Sequence, residues 1–131
     1  TRNDIFGLDV DILILASVTD VINEKNRNAV RVKIIVEGAN IPMREEIEEE
    51  LFNRGIFIVP DFVGNVGGVI SSYAEYRGYN SKKMFELVER KIRAGTRLIL
   101  EKSIKLKKNP RQISLAIAKE KVETKMDKRN S

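Results

Sequence analysis

The sequence predicts an α/β chain, a three-stranded parallel sheet followed by a helical closing segment, and three observations carry that reading. Short apolar runs rich in branched side chains recur at Ile12-Leu13-Ile14-Leu15, Ile34-Ile35-Val36 and Ile56-Phe57-Ile58-Val59. The segments between them are long enough for the crossovers that parallel pairing needs. Beyond residue 80 the apolar positions fall three, four and seven apart, the spacing of one face of a helix.

The three strands are expected near residues 12–16, 33–37 and 56–59. Because parallel strands are covered on both faces, their apolar runs need not alternate. After the first strand, Asn23 is placed to cap a helix starting at Glu24. After the second, Pro42 stands near the start of a helix over Glu45–Asn53, where its missing amide costs nothing, and Gly55 follows Arg54 as a left-handed terminator. The acidic run Glu45-Glu46-Ile47-Glu48-Glu49-Glu50 lies in the first turns of that helix and complements its dipole. Consecutive residues diverge around a helix, so the run reads as a solvated face rather than a metal site. Asp61 can cap a long helix running through Tyr76 and ending at Gly78. A second helix follows Asn80-Ser81, with Phe85, Val88, Ile92 and Ile99 on one face. A third opens at Asn109-Pro110, with Leu115, Ala118, Val122 and Met126 as its apolar stripe. Asp127 to Ser131 have little to bury and are expected to fray.

These elements make the distal half of a doubly wound, Rossmann-like nucleotide-binding sheet over residues 1–78, with a C-terminal helical segment, residues 79–131, packed on the same domain. The right-handed crossover rule lays the strands down sequentially. No G-x-G-x-x-G occurs in the chain. That fingerprint belongs to the first half of such a fold, so the chain is expected to begin after it and to be a piece of something longer.

Composition narrows the chemistry. The 131 residues contain no cysteine and no histidine. Disulfides, thiolate nucleophiles, imidazole acid–base catalysis and histidine-ligated metals are therefore excluded, and no metal site is expected. No stretch approaches the roughly 18 apolar residues of a membrane span, so neither a membrane nor a membrane partner is expected. Charge is unevenly spread: residues 1–80 hold 8 Lys+Arg against 13 Asp+Glu, and residues 81–131 hold 16 against 6. A basic segment of that kind can attract nucleic acid, acidic lipid or an acidic partner, but its ordinary meaning is the solvated face of helices, and no nucleic acid is expected as a partner.

In a parallel sheet, ligands sit beyond the carboxyl ends of the strands. The residues there are Ala16-Ser17, Glu37-Gly38-Ala39-Asn40 and Pro60-Asp61, followed by Asn65. Small side chains, glycine and amides permit close backbone approach and can hydrogen-bond a neutral amide or a ribose. In Asn65-Val66-Gly67-Gly68-Val69, two glycines near a helix start cost roughly 1 kcal/mol each against alanine. Either a ligand or tightly packed secondary structure comes close there.

In order and at matching spacing, Glu37-Gly38-Ala39-Asn40-Ile41-Pro42, Arg54-Gly55-Ile56, Val59-Pro60-Asp61, Asn65-Val66-Gly67-Gly68-Val69 and Ser72-Tyr73 with Glu75 resemble the C-terminal part of glutamate dehydrogenases. These belong to the glutamate/leucine/phenylalanine/valine dehydrogenase superfamily, and the resemblance extends from about Asp11 into the C-terminal helices. It implies part of a homo-oligomeric, cytoplasmic amino-acid dehydrogenase that deaminates L-glutamate to 2-oxoglutarate with NAD or NADP. By the same resemblance Ala16 and Ser17 line the adenosine side of the cofactor, Asn40 approaches the nicotinamide ribose, and Gly38 and Ala39 beside it belong to the cofactor site. Asn65 would hydrogen-bond near the nicotinamide, while Val69 and Ser72 line the amino-acid side-chain pocket. Ser72 would donate to the distal carboxylate of glutamate, and a hydroxyl there favours glutamate over leucine. The family's catalytic lysines and aspartate lie in an N-terminal domain, so no catalytic residue is assigned here and the isolated chain is expected to be inactive. The competing reading is a non-catalytic relic of a nucleotide domain whose basic helices bind a partner or nucleic acid.

Overall fold

The computed structural model describes residues 4–127, so the ending expected to fray lies, beyond Asp127, outside the described residues. A short 3-10 turn, Asp4–Gly7, precedes β1 (Ile12–Leu15). β2 (Ile34–Glu37) and β3 (Phe57–Val59) complete one sheet in the order β1-β2-β3. Both pairings are parallel, with Ile12 opposite Ile34 and Ile34 opposite Phe57. The three expected strands are present, each within a residue of its expected limits.

The connection from β1 to β2 differs from expectation. No helix starts at Glu24; the segment turns repeatedly and holds only a 3-10 turn at Arg27–Ala29. Asparagine competes with the helix here. The Asn26 side chain accepts from Asn23 N at 2.8 Å and donates to Val21 O at 2.8 Å, and Asn23 itself bonds Asp20 O and Lys25 N. Arg54 satisfies two more carbonyls of the segment, those of Arg27 and Val30, at 2.9 and 2.7 Å. The loop thereby places Ile22, Val30 and Val32 in the core with no more than a single 3-10 turn.

α1 (Glu45–Asn53) joins β2 to β3, and Gly55 ends it at φ 90°, a left-handed turn only glycine takes cheaply. Its Ile47 and Leu51 pack with Met43 against Leu13, Leu15, Ile35, Ile56 and Ile58 on one face of the sheet. Each such aliphatic side chain stabilises the fold by roughly 1.5–3 kcal/mol when fully buried. The sequence reads the acidic run as a solvated face, but that holds only in part: Glu45 and Glu46 are exposed, whereas Glu48 is fully buried.

The helix expected from Asp61 through Tyr76 is two helices, α2 (Asp61–Gly64) and α3 (Gly67–Tyr76). A Cβ on Gly64 would stand 2.8 Å from Glu37 O, so α2 lies directly on the end of β2, and both α2 and α3 pack on α4 (Ser81–Leu106). α4 begins as expected, with Asn80 Oδ1 accepting from Lys83 N at 2.9 Å. Of its expected apolar face, Ile99 is buried and Val88 and Ile92 are half-buried, but Phe85 is exposed.

α5 (Pro110–Asp127) also begins as expected, Asn109 Oδ1 accepting from Arg111 N at 2.8 Å. Its packed face is not the expected stripe. Leu115, Ala118, Val122 and Met126 are exposed, and Ile113, Ser114 and Ile117 face inward. Only the first turns of α5 reach the sheet, so their geometry, not the longest apolar repeat, selects the face. Val59, Val63, Ile99 and Ile113 form the second core, with Val36, Leu100 and Ile117 against it. This cover stops short of β1, which therefore alternates. Leu13 and Leu15 are buried, while Ile12 and Ile14 are 55% and 65% exposed.

Candidate functional site

At the carboxyl end of the sheet the loop after β2 folds across the end of β1. Leu15 O accepts from both Gly38 N at 2.8 Å and Ala39 N at 2.7 Å. A Cβ on Gly38 would meet Ala16 Cβ and Leu15 O, both at 3.3 Å, so the approach depends on two small residues. Ala16, Ser17, Val18, Thr19, Gly38, Ala39 and Asn40 line the resulting open cleft of about 640 Å³. Five of the residues singled out from the sequence thus share one site.

The far wall of the cleft is a tightly held turn. Asn40 O accepts from Thr19 Oγ1 at 3.2 Å, Ile41 O from Asp20 N at 3.1 Å, and Pro42 O from Ile22 N at 3.1 Å. Ile41 has φ 48°, a left-handed conformation costing a β-branched residue roughly 1–3 kcal/mol. Pro42 disfavours the right-handed helical alternative for the residue before it. The Asp61 carboxylate completes the clamp, its Oδ2 accepting from Ile41 N at 3.0 Å.

Asn65 joins this wall from the break between α2 and α3. Its Nδ2 donates to Asn40 Oδ1 at 2.6 Å. Among the described residues neither Asn40 Nδ2 nor Asn65 Oδ1 has a partner, so the pair keeps one donor and one acceptor. Exchanging N and O in both side chains would preserve that count. Glycine plays a different part from the one the sequence suggested. A Cβ on Gly67 would stand at ordinary contact distance from Val88 and Ile92 of α4, one on Gly68 would meet open space, and the close approach belongs to Gly64.

Val69 and Ser72 lie apart from the cleft lining, one turn apart on α3 and both exposed. Ser72 Oγ donates to Gly68 O of its own helix at 3.2 Å, and Ser71 Oγ donates to the same carbonyl at 2.8 Å.

Beneath the cleft is a buried charge cluster that sequence reasoning missed. The Arg111 guanidinium lies 2.8 Å from Glu37 Oε2, 2.5 Å from Glu48 Oε2 and 3.3 Å from Asp61 Oδ1. Glu37 Oε2 also accepts from Asp61 N at 2.8 Å. One cation thus faces three carboxyl groups. Burial, reinforced by the neighbouring Glu48 charge and opposed by Arg111, pushes Glu37 up to about 8. Burial also raises Glu48, against the pull of Arg111. Two features could have signalled the cluster: a carboxylate closing an otherwise apolar strand, and an arginine just inside a helix cap. Nothing in the spacing links them.

The family model described as Glutamate/Leucine/Phenylalanine/Valine dehydrogenase matches residues 1–130. The NADP-specific glutamate dehydrogenase of Saccharolobus shibatae is 43% identical over 81 residues, 62% of this chain and 19% of that protein. The glutamate dehydrogenase of Aeropyrum pernix is 33% identical over 129 residues, 91% of this chain and 31% of that protein. The crystal structure of L-tryptophan dehydrogenase from Nostoc punctiforme superposes with a TM-score of 0.82 at 25% identity, covering 92% of this chain and 37% of that one. The chain therefore spans only a minor part of the length of the relatives it matches.

Proposed function

The chain belongs to the glutamate/leucine/phenylalanine/valine dehydrogenase family, and from that premise we propose that it supplies the nicotinamide-side contacts of an NAD(P)-dependent glutamate dehydrogenase. The observation that carries the proposal is the Asn65–Asn40 hydrogen bond of 2.6 Å beside the cleft at the strand ends. Its remaining donor and acceptor are complementary to a carboxamide, which offers one carbonyl and one NH₂ group. The small lining, Ala16, Gly38 and Ala39, leaves room for a ribose beside them. The residues present thus fit a nicotinamide dinucleotide, which when bound accepts the hydride leaving the α-carbon of the amino acid.

The chain's own part is to bind and orient. Asn40 and Asn65 would fix the ring, and backbone packing at Gly38 keeps side chains out of its path. Val69 and Ser72, exposed on α3, would border the substrate side chain, with the Ser72 hydroxyl turned from Gly68 O toward the distal carboxylate of L-glutamate. The remainder of the site, in a homo-oligomeric enzyme, would come from outside this segment.

The test is cofactor binding by the protein that carries this chain, followed through NADH and NADPH fluorescence. Asn40→Ala and Asn65→Ala should each weaken binding roughly tenfold, the effect of losing about 1.4 kcal/mol. Unchanged affinity in both variants would overturn the assignment of the cleft.

A further inference from the structure

The turn that presents Asn40 is held in an unfavourable backbone conformation by a residue from a different element. Ile41, next to Asn40, has φ 48°. Its N–H donates to Asp61 Oδ2 at 3.0 Å, across 20 positions of sequence. The other oxygen of Asp61 accepts from Phe62 N at 2.9 Å and faces Arg111 Nη1 at 3.3 Å. Asp61 N in turn donates to Glu37 Oε2, which also accepts from Arg111. Asp61 is therefore fixed from its backbone, from its own helix and from α5, with its remaining oxygen aimed at Ile41. Conformations of this kind persist only where the surroundings over-determine them.

We propose that Asp61 is a positioning residue of the cofactor site: oriented by Arg111, its carboxylate locks the Ile41 amide and so aims the Asn40 carboxamide toward the cleft. This rests on the cofactor role assigned to Asn40 above. Asp61 touches no substrate or cofactor itself. It acts through one backbone hydrogen bond on the residue that does. The arrangement also makes the first turn of α5 part of the cofactor site, since Arg111 supplies the cation against which Asp61 is held.

Both arms of the test use the protein that carries this chain. In Asp61→Asn a carboxamide offers one accepting oxygen; kept on the Phe62 amide and Arg111, which together hold Oδ1, it turns an NH₂ group toward the Ile41 amide, so that contact is lost without loss of volume. The expected results are faster hydrogen exchange at the Ile41 amide, read by NMR, and NADH or NADPH affinity reduced roughly tenfold. Asp61→Ala should exaggerate both effects. Should Asp61→Ala not fold, Asp61→Asn alone decides. Folded variants whose Ile41 exchange and cofactor affinity both match the parent overturn the proposal. So does faster Ile41 exchange with unaltered affinity, if Asn40→Ala in parallel weakens binding, because then the turn moves and the cofactor is indifferent to it. If Asn40→Ala leaves binding unchanged, the cofactor role of Asn40 has failed and the proposal falls with it.

Discussion

Arg111 donates to Glu37 at 2.8 Å although 74 positions of sequence separate them. The contact ties the first turn of the last helix to the carboxyl end of the central strand, immediately before the loop Gly38–Asn40. Glu37 is completely inaccessible, and the Arg111 side chain is 14% exposed. Removing one partner of such a pair is costly because the other is left charged and unpaired. Here the excess of carboxyl groups over cations shifts the burden onto a proton held by Glu37.

That proton makes stability depend on pH. Glu37 titrates near 4.5 when unperturbed and near 8 in the folded chain. Between those values the folded state keeps a proton that the unfolded state has released, so raising the pH favours unfolding. The contribution is fully present below about 4.5 and is lost as pH rises through about 8, at roughly 1.4 kcal/mol per pH unit. Glu48, raised in the same direction, adds to the trend. Calorimetry should show Tm falling between about pH 5.5 and about pH 8.5, and Glu37→Gln should flatten the fall. A Tm that climbs over this range would mean that Glu37 is ionised throughout.

Glycine substitutions should separate packing from propensity. In Gly64→Ala the new Cβ would lie 2.8 Å from the backbone oxygen of Glu37 and 3.3 Å from Val36 Cγ1. Backbone cannot swing aside like a flexible side chain, so a cost of about 1–3 kcal/mol is expected in urea unfolding. Gly68→Ala meets nothing within 4 Å and lies inside α3. It should stabilise by about 0.5–1 kcal/mol. Equal effects of the two substitutions would show that the approach of α2 to β2 is not tight.

The strands were readable because their branched apolar runs have no competing explanation, and Asn80 and Asn109 were readable as caps because capping is local. The β1–β2 connection was not, since Asn23 and Asn26 satisfy loop backbone as readily as they cap a helix. The stripe on α5 misled for another reason. Periodicity reports that a helix is amphipathic, but what covers it depends on how far its neighbours reach. Of the site, the strand-end residues Ala16, Gly38 and Asn40 were legible from topology alone, since ligands gather at carboxyl ends of parallel strands. The Glu37–Arg111 cluster needed the tertiary structure, because no local rule joins a strand end to a helix start so distant in sequence.

The uncovered edge of the sheet has a consequence for the chain by itself. Among the described residues β1 has a neighbour on one side only, and Ile12 and Ile14 are bare on the face that α4 and α5 leave open. An edge with exposed branched residues is a template for pairing. The polypeptide of residues 1–131 should therefore self-associate, with light scattering showing a mass that rises with concentration. Ile14→Lys should shift it toward monomer. A strict monomer at high concentration in the parent chain would show that the edge is blocked.

Substrate choice should turn on Ser72. Its hydroxyl is exposed on α3 and donates to Gly68 O at a long 3.2 Å, a carbonyl already served by Ser71 at 2.8 Å. That redundancy frees Ser72 for another acceptor at little cost to the helix. A distal carboxylate of glutamate is such an acceptor, and hydrogen bonds to charged groups contribute about 1.5–3 kcal/mol. In the enzyme that carries this chain, Ser72→Val should therefore lower kcat/KM for glutamate by roughly ten- to a hundredfold at about 1.4 kcal/mol per decade. Cofactor affinity should hardly change, because Ser72 lies outside the cleft of Ala16 and Asn40. The added apolar surface should improve norvaline relative to glutamate, since norvaline keeps the chain and lacks the carboxylate. Ser71→Ala, which leaves the Ser72 hydroxyl in place, serves as the control for disturbance of the helix. If the glutamate-to-norvaline ratio of kcat/KM is the same in Ser72→Val as in the parent, Ser72 bonds only its own helix and the side-chain pocket lies elsewhere.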